Sequence, residues 1–157
     1  MEERKKLIID TDCGSDDAMA IAMALRDPGY EILCFTTVTG NVDARQAALN
    51  TLFTIEAAGT YEPPVYIGCE LPLLVPFVGA AETHGQDGMG DMGLVPKRLK
   101  VAEGNGVLKI AELRIANPPT MCYLASGQDS TGTRARDAEW VSDPIAADMD
   151  RSGRDHG

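Results

Sequence analysis

Three short runs rich in β-branched and aromatic residues alternate with two stretches of helical spacing, and this alternation limits the fold more than anything else in the chain. Leu7 to Asp10 is apolar and of strand length, Tyr30 to Val38 (YEILCFTTV) has the composition of a strand, and Val65 to Ile67 is a third within PPVYIG. Between the first two lies DDAMAIAMALR, Asp16 to Arg26, built from good helix formers, with Ser15 as the expected N-cap and Asp27-Pro28-Gly29 as the stop. Between the second and third, Asp43 to Ala58 reads as an amphipathic helix with Ala48, Leu49, Leu52 and Ile55 on one apolar face. Strand, helix, strand, helix, strand implies an α/β fold: an open, mostly parallel sheet with flanking helices and right-handed crossovers.

The rest of the chain is less regular. From Gly68 to Lys100 no period survives and glycine is dense, so a long functional loop is expected. Gly106 to Asn117 resumes as a helix, and Thr120 to Ala125 has the composition of a fourth strand. From Gly127 onward the sequence is polar and lacks a hydrophobic period. Residues 1–126 are therefore read as the folded part and residues 127–157 as an atypical, poorly ordered tail.

Charge narrows the partners. With 157 residues and a formal net charge of -10, the chain repels polyphosphate and anionic headgroups, which excludes broad binding to nucleic acid or to a membrane surface and leaves small molecules and cations. The apolar run near the N-terminus is too short for a signal peptide, so a cytoplasmic location is expected, and no stretch has the length of a membrane span. Cys13, Cys34, Cys69 and Cys122 lack the spacing of a zinc or redox motif and are expected as reduced, mostly buried thiols.

The chemistry is concentrated in LIIDTDCGSDDA, Leu7 to Ala18, where Asp10, Asp12, Asp16 and Asp17 crowd the end of the first strand. Asp16 and Asp17 also suit the first turn of a helix, where carboxylates complement the dipole. Helix capping does not account for Asp10 and Asp12, which stand at the carboxyl end of a strand, where open α/β sheets bind ligands. A hard divalent cation held by these oxygens would cancel their mutual repulsion. An EF-hand does not fit, because glycine falls one place early, at Gly14, and Ile21 stands where glutamate is required. LIIDTD also resembles the apolar strand and Asp-x-Asp of haloacid-dehalogenase-like phosphatases, although Gly14 stands where that family has threonine or valine.

A second resemblance covers more of the chain. LIIDTDCGSDDA resembles the Asp-x-Asp-x-Gly-x-Asp-Asp-Ala signature of the nucleoside hydrolases, including the inosine/uridine-preferring members, with Cys13 in place of the common proline. VTGN at Val38 to Asn41 with the downstream Asn50, GCELPL from Gly68, and HGQDGMGDMGL from His84 follow in the family's order. The resemblance implies a Rossmann-like sheet and hydrolysis of the N-glycosidic bond of ribonucleosides, purine or pyrimidine, to base and ribose with one bound Ca2+. It implies a metal site at Asp10, Asp12 and Asp17, with Asp10 supporting from the side and Asp12 also acting as the catalytic base toward water. Asp16 and Asn41 would bind ribose hydroxyls, and His84 would stand in the substrate site. Asp87 is expected to contact substrate or to hold the turn before Gly88, and Asn50 to be structural.

The resemblance also sets a boundary. Members of the family are about twice as long, and the Gly-Pro-Leu-Thr-Asn expected after the fourth strand is replaced by LASGQDSTGT. The chain is accordingly expected to be a truncated or frame-altered relative with a non-native tail, an uncovered sheet edge that leaves homo-oligomerisation open, and one calcium ligand fewer. A non-catalytic nucleoside or ribose binder is the expectation from a different class.

Overall fold

The computed structural model describes residues 4–72 and 76–117 and the backbone of Met121–Ala125. The order is β1 (Lys5–Thr11), α1 (Ser15–Arg26), β2 (Tyr30–Thr37), α2 (Ala44–Ala58), β3 (Val65–Ile67), α3 (Ala81–His84), α4 (Gly106–Ala116) and β4 (Met121–Ala125). The strands form one sheet in the order β3-β2-β1-β4, every pairing parallel. The alternation read from the sequence thus gives the expected α/β architecture.

β1 is flanked by a strand on each side, and both of its faces are covered. Leu7 and Ile9 join α1, α2 and β2 in a core that includes Ile21, Leu25, Ile32, Phe35, Leu52, Ile55 and Val65. Ile8 points the other way and packs with Cys34 against Tyr66, Ile110 and Leu113, so α4 covers the second face. A strand buried on both sides reads as a continuous apolar run, which is why LII carries no alternation. The register of β1 on β2 slips between Leu7 and Ile8, and beyond the slip Asp10 lies beside Thr36 and Thr11 beside Thr37.

The topology makes a switch point. Successive crossovers carry the chain from β1 outward to β2 and β3, and α4 then returns it to the opposite side of β1, where β4 pairs. Ligands in open α/β sheets bind at the carboxyl ends of the strands where the order reverses, here at the end of β1.

Several details depart from the sequence reading, β1 reaching beyond Leu7 to Asp10 at both ends. Gly14, not Ser15, is the N-cap of α1, and Ser15 is its first helical residue. A side chain at position 14 would place its Cβ 2.8 Å from Asn41 Nδ2, and the Asp17 carboxylate reaches back to accept the Gly14 N–H at 2.9 Å, doing a capping side chain's work. Leu49 is 36% exposed and leaves the apolar face of α2 to Ala47, Ala48, Leu52 and Ile55. The stretch read as continuous loop contains the four-residue α3. Finally, β2 ends at Thr37, one residue short.

Among the described residues Cys13 and Cys34 are buried free thiols and Cys69 is a half-buried one. No helix among them is long and apolar enough to cross a membrane. The expected tail, residues 127–157, lies outside the described residues.

Candidate active site

The end of β1 delivers Asp10 and Asp12 to the same face of the strand by its two-residue period. Asp10 is still in the sheet: it is 5% exposed and its Oδ1 accepts a 2.6 Å hydrogen bond from the Thr36 hydroxyl of the neighbouring strand. Asp12 stands one residue beyond β1 and is 4% exposed. Its Oδ2 accepts the Asn41 backbone N–H at 2.8 Å, whereas its Oδ1 is buried without a hydrogen-bond partner. An unpartnered buried carboxylate oxygen is costly, and such atoms in folded proteins call for a ligand or a functional reason.

Burial raises the Asp12 carboxyl above the usual aspartate range, opposed by the Asn41 N–H and reinforced by the negative charges of Asp17 and Asp16. Gly40 makes the close packing possible. A Cβ there would lie 2.2 Å from Asp12 Oδ2.

Asn41 joins two carboxylates, since its backbone N–H binds Asp12 while its side-chain Nδ2 lies 3.4 Å from Asp17 Oδ2. The β2–α2 turn that holds Asn41 is itself fixed by Gly40 N–H to Val42 O at 2.9 Å and by the Thr39 hydroxyl, which donates to Glu70 O and accepts the Ala44 N–H. Asp43 then caps α2, accepting the N–H groups of Arg45 and Gln46, each at 2.9 Å.

Asp16 and His84 form the outer rim. His84, at the end of α3, lies with Nδ1 3.2 Å from Ser15 Oγ and 3.9 Å from Asp16 Oδ1, and the Asp16 side chain is 76% exposed. A loop 69 residues downstream thereby reaches the start of α1. Asp87 does not face the rim. Its carboxylate accepts N–H groups from Met89, Asp91 and Gly93, which hold it below the usual carboxylate range, so of its two expected roles the turn-holding one is seen.

The structure brings Asp12, Asp16, Asp17, Asn41 and His84 to one place, and Asp10 lies beneath them in the sheet. Among the described residues no three His, Cys, Asp or Glu side chains converge as a metal-binding group. Sequence reading gave no site role to Gly40, whose missing side chain admits Asp12, or to Ser15, expected only as a cap, whose hydroxyl meets His84. The signal for Gly40 was the TGN turn itself, but only the three-dimensional approach of Asp12 gives that glycine its reason.

The class is that of a doubly wound α/β sheet with a buried carboxylate, a second carboxylate, an amide and an imidazole gathered at its switch point. Residues 7–129 match the family described as inosine-uridine preferring nucleoside hydrolase. The chain belongs to that family. It is 40% identical over 126 residues to uridine nucleosidase 1 of Arabidopsis thaliana, a match covering 80% of this chain and 38% of that protein. Among solved structures it superposes on a plant nucleoside hydrolase with a TM-score of 0.74 and 33% identity over 80% of this chain and 40% of that one. It also superposes on a purine-preferring ribonucleoside hydrolase from Gardnerella vaginalis, with a TM-score of 0.73 and 31% identity over 78% of this chain and 40% of that one. The chain thus spans about 40% of the length of these relatives.

Proposed function

We propose that this chain carries the ribose-and-water half of a ribonucleoside N-glycosidic hydrolase site, with Asp12 as general base. The observation that carries the proposal is the buried, unpartnered Oδ1 of Asp12 just beyond the end of β1. Hydrolysis of an N-glycosidic bond builds positive charge on the sugar and needs water aimed at the anomeric carbon opposite the departing base. Asp12, whose proton affinity is raised by burial, is suited to take a proton from that water. The exposed Asp16 and the Asn41 amide supply an acceptor and a donor for ribose hydroxyls, and His84 with Ser15 bounds the rim against which the nucleoside rests.

An oxygen-rich donor set with an orphaned carboxylate oxygen suits a hard divalent cation, and calcium is the ion proposed, with Asp12 and Asp17 supplying only part of its shell. Asp12 and Asp17 would hold it, sharing Asn41 as a common neighbour, with Asp10 locking the strand end through Thr36. When bound, such an ion supplies positive charge that stabilises the ionised carboxylates and orients sugar hydroxyls and water. Uridine in one relative's name and purine in another's support a division of labour in which the region common to both serves the sugar and base choice is made elsewhere.

The test is isothermal titration of the purified chain with Ca2+, then with ribose and inosine or uridine, alongside a reducing-sugar assay. Saturable Ca2+ binding that Asp12→Asn abolishes, with ribose or nucleoside binding that depends on the ion, is the expected result. Product release identifies a hydrolase and binding without product identifies a nucleoside binder. Neither binding nor turnover at millimolar Ca2+ overturns the proposal.

A further inference from the structure

Asn50 lies on α2 and is 1% exposed. Its amide connects two distant loops. Nδ2 donates to Cys13 O at 2.9 Å and to Asp87 O at 2.8 Å, and Oδ1 accepts from Gln46 Nε2 at 2.9 Å. Both acceptors are 37 residues away in sequence, one on each side. An amide NH2 has two donors, and here both are committed.

Each acceptor sits in strained or tightly packed backbone. Cys13 adopts φ 22°, uncommon for a side-chain-bearing residue, and its N–H is held by the Thr11 hydroxyl at 3.0 Å. Such a conformation persists only where surrounding contacts over-determine it. Gly88 has φ +75°, and a Cβ there would lie 2.9 Å from Val42 and 3.1 Å from Asn50 Nδ2, so the glycine loop is pressed directly onto the amide. The first loop carries Asp12 and leads into the first turn of α1 with Asp16 and Asp17; the second follows His84, whose carbonyl accepts the Gly90 N–H at 2.7 Å.

We infer that Asn50 is a positioning residue that joins the acidic turn after β1 to the glycine loop after α3, so that the carboxylates and His84 are held as one unit. The inference rests on the reading of this site given above. Its own content is mechanical: without the amide, the turn and the loop respond separately.

Backbone amide NMR of the whole chain, with and without Ca2+, tests it. In the wild-type chain, Ca2+ is expected to shift the amides of Gly14 and Asp17 and those of Gly88, Met89 and Gly90 with a single midpoint. In Asn50→Ala the turn amides still respond, the loop amides do not, and loop amides exchange with solvent at least about tenfold faster in the metal-free state. Gln46→Ala, which removes only the bond to Oδ1, is expected to keep the joint response. Should Asn50→Ala fail to fold, Gly88→Ala provides the second route, because a Cβ there would lie 3.1 Å from Asn50 Nδ2 and 3.5 Å from Cys13 O and so disturbs the same joint. Unchanged exchange and an unchanged joint response in whichever of Asn50→Ala and Gly88→Ala folds overturns the inference. If Ca2+ shifts no amide in the wild type, the cation reading fails, and the metal-free exchange rates still decide the role of Asn50.

Discussion

Asp12 carries a conflict between folding and use. Its Oδ1 is buried without a partner, and its carboxyl is raised above the usual range mainly by burial. A raised folded-state pKa means that the fold favours the protonated form. The contribution of Asp12 to stability is therefore fully present below its ordinary value of 3.8 and is lost as pH rises through the higher value of the folded chain. Asp12→Asn replaces the ionised group with a neutral one of the same shape. In metal-free protein the variant should match the wild type in acid and become more stable by about 1–3 kcal/mol at neutral pH, while losing cation binding. Thermal melts of both proteins across that range, with Ca2+ and with chelator, provide the check. Gly40 is the complementary case. Gly40→Ala drives a methyl against Asp12 Oδ2, and the expected outcome is a loss of Ca2+ affinity of at least about tenfold, read by titration, because the carboxylate must leave its place beside Asn41. Cys13, by contrast, is chemically quiet: burial pushes its thiol up to about 12, and native alkylation should label Cys69 well before it.

At the level of elements, the strands and the long helices were legible because their signals are local. β-branched composition marks β1, β2 and β3, and Asp43 before an apolar period marks the start of α2. The misreadings have a common origin in contacts across the chain. Gly14 caps α1 because Asn41 from another loop occupies the space a side chain would need, and no local preference for serine reveals that. Leu49 falls outside the buried face because the core-facing arc of α2 runs through small residues, Ala47 and Ala48, that let the helix sit close to α1 and the sheet. The four residues of α3 are too few to show a period. For the site, the carboxylates and Asn41 were visible as a motif, and their grouping with His84 is seen in the structure. Asn50 was read as structural, but not which groups it joins, because its two carbonyl partners lie far along the chain. Asp43 allows a direct test of the local logic: Asp43→Ala should cost about 1 kcal/mol in chemical denaturation, since two N–H groups lose their acceptor. The same change should weaken Asn41's hold on the site only as far as it frays the start of α2.

The whole unit is a sheet filled asymmetrically. One face has a broad core beneath α1 and α2, and the other is covered by α4 through Ile110 and Leu113. α4 turns Val107, Leu108 and Ile115 outward, at 47%, 71% and 80% exposure, and Met19 and Met23 of α1 are similarly bare. Apolar surface gathered on one helix favours association. Leu108→Glu combined with Ile115→Lys should lower dye binding to exposed apolar surface and reduce self-association in sedimentation velocity, with the melting temperature within a few degrees of wild type. Unchanged sedimentation would show that this helix face does not mediate assembly. β1, finally, is one of the two inner strands of the sheet, and Asp12 hangs from its end. Anything gripping that carboxylate is fastened to a strand paired on both sides, so occupancy registers in the unfolding of the sheet. An ordinary heat ramp, run against a library of sugars and ions, would then work as a ligand detector, with a ligand at a hundred times its dissociation constant adding about 2.7 kcal/mol to the melt.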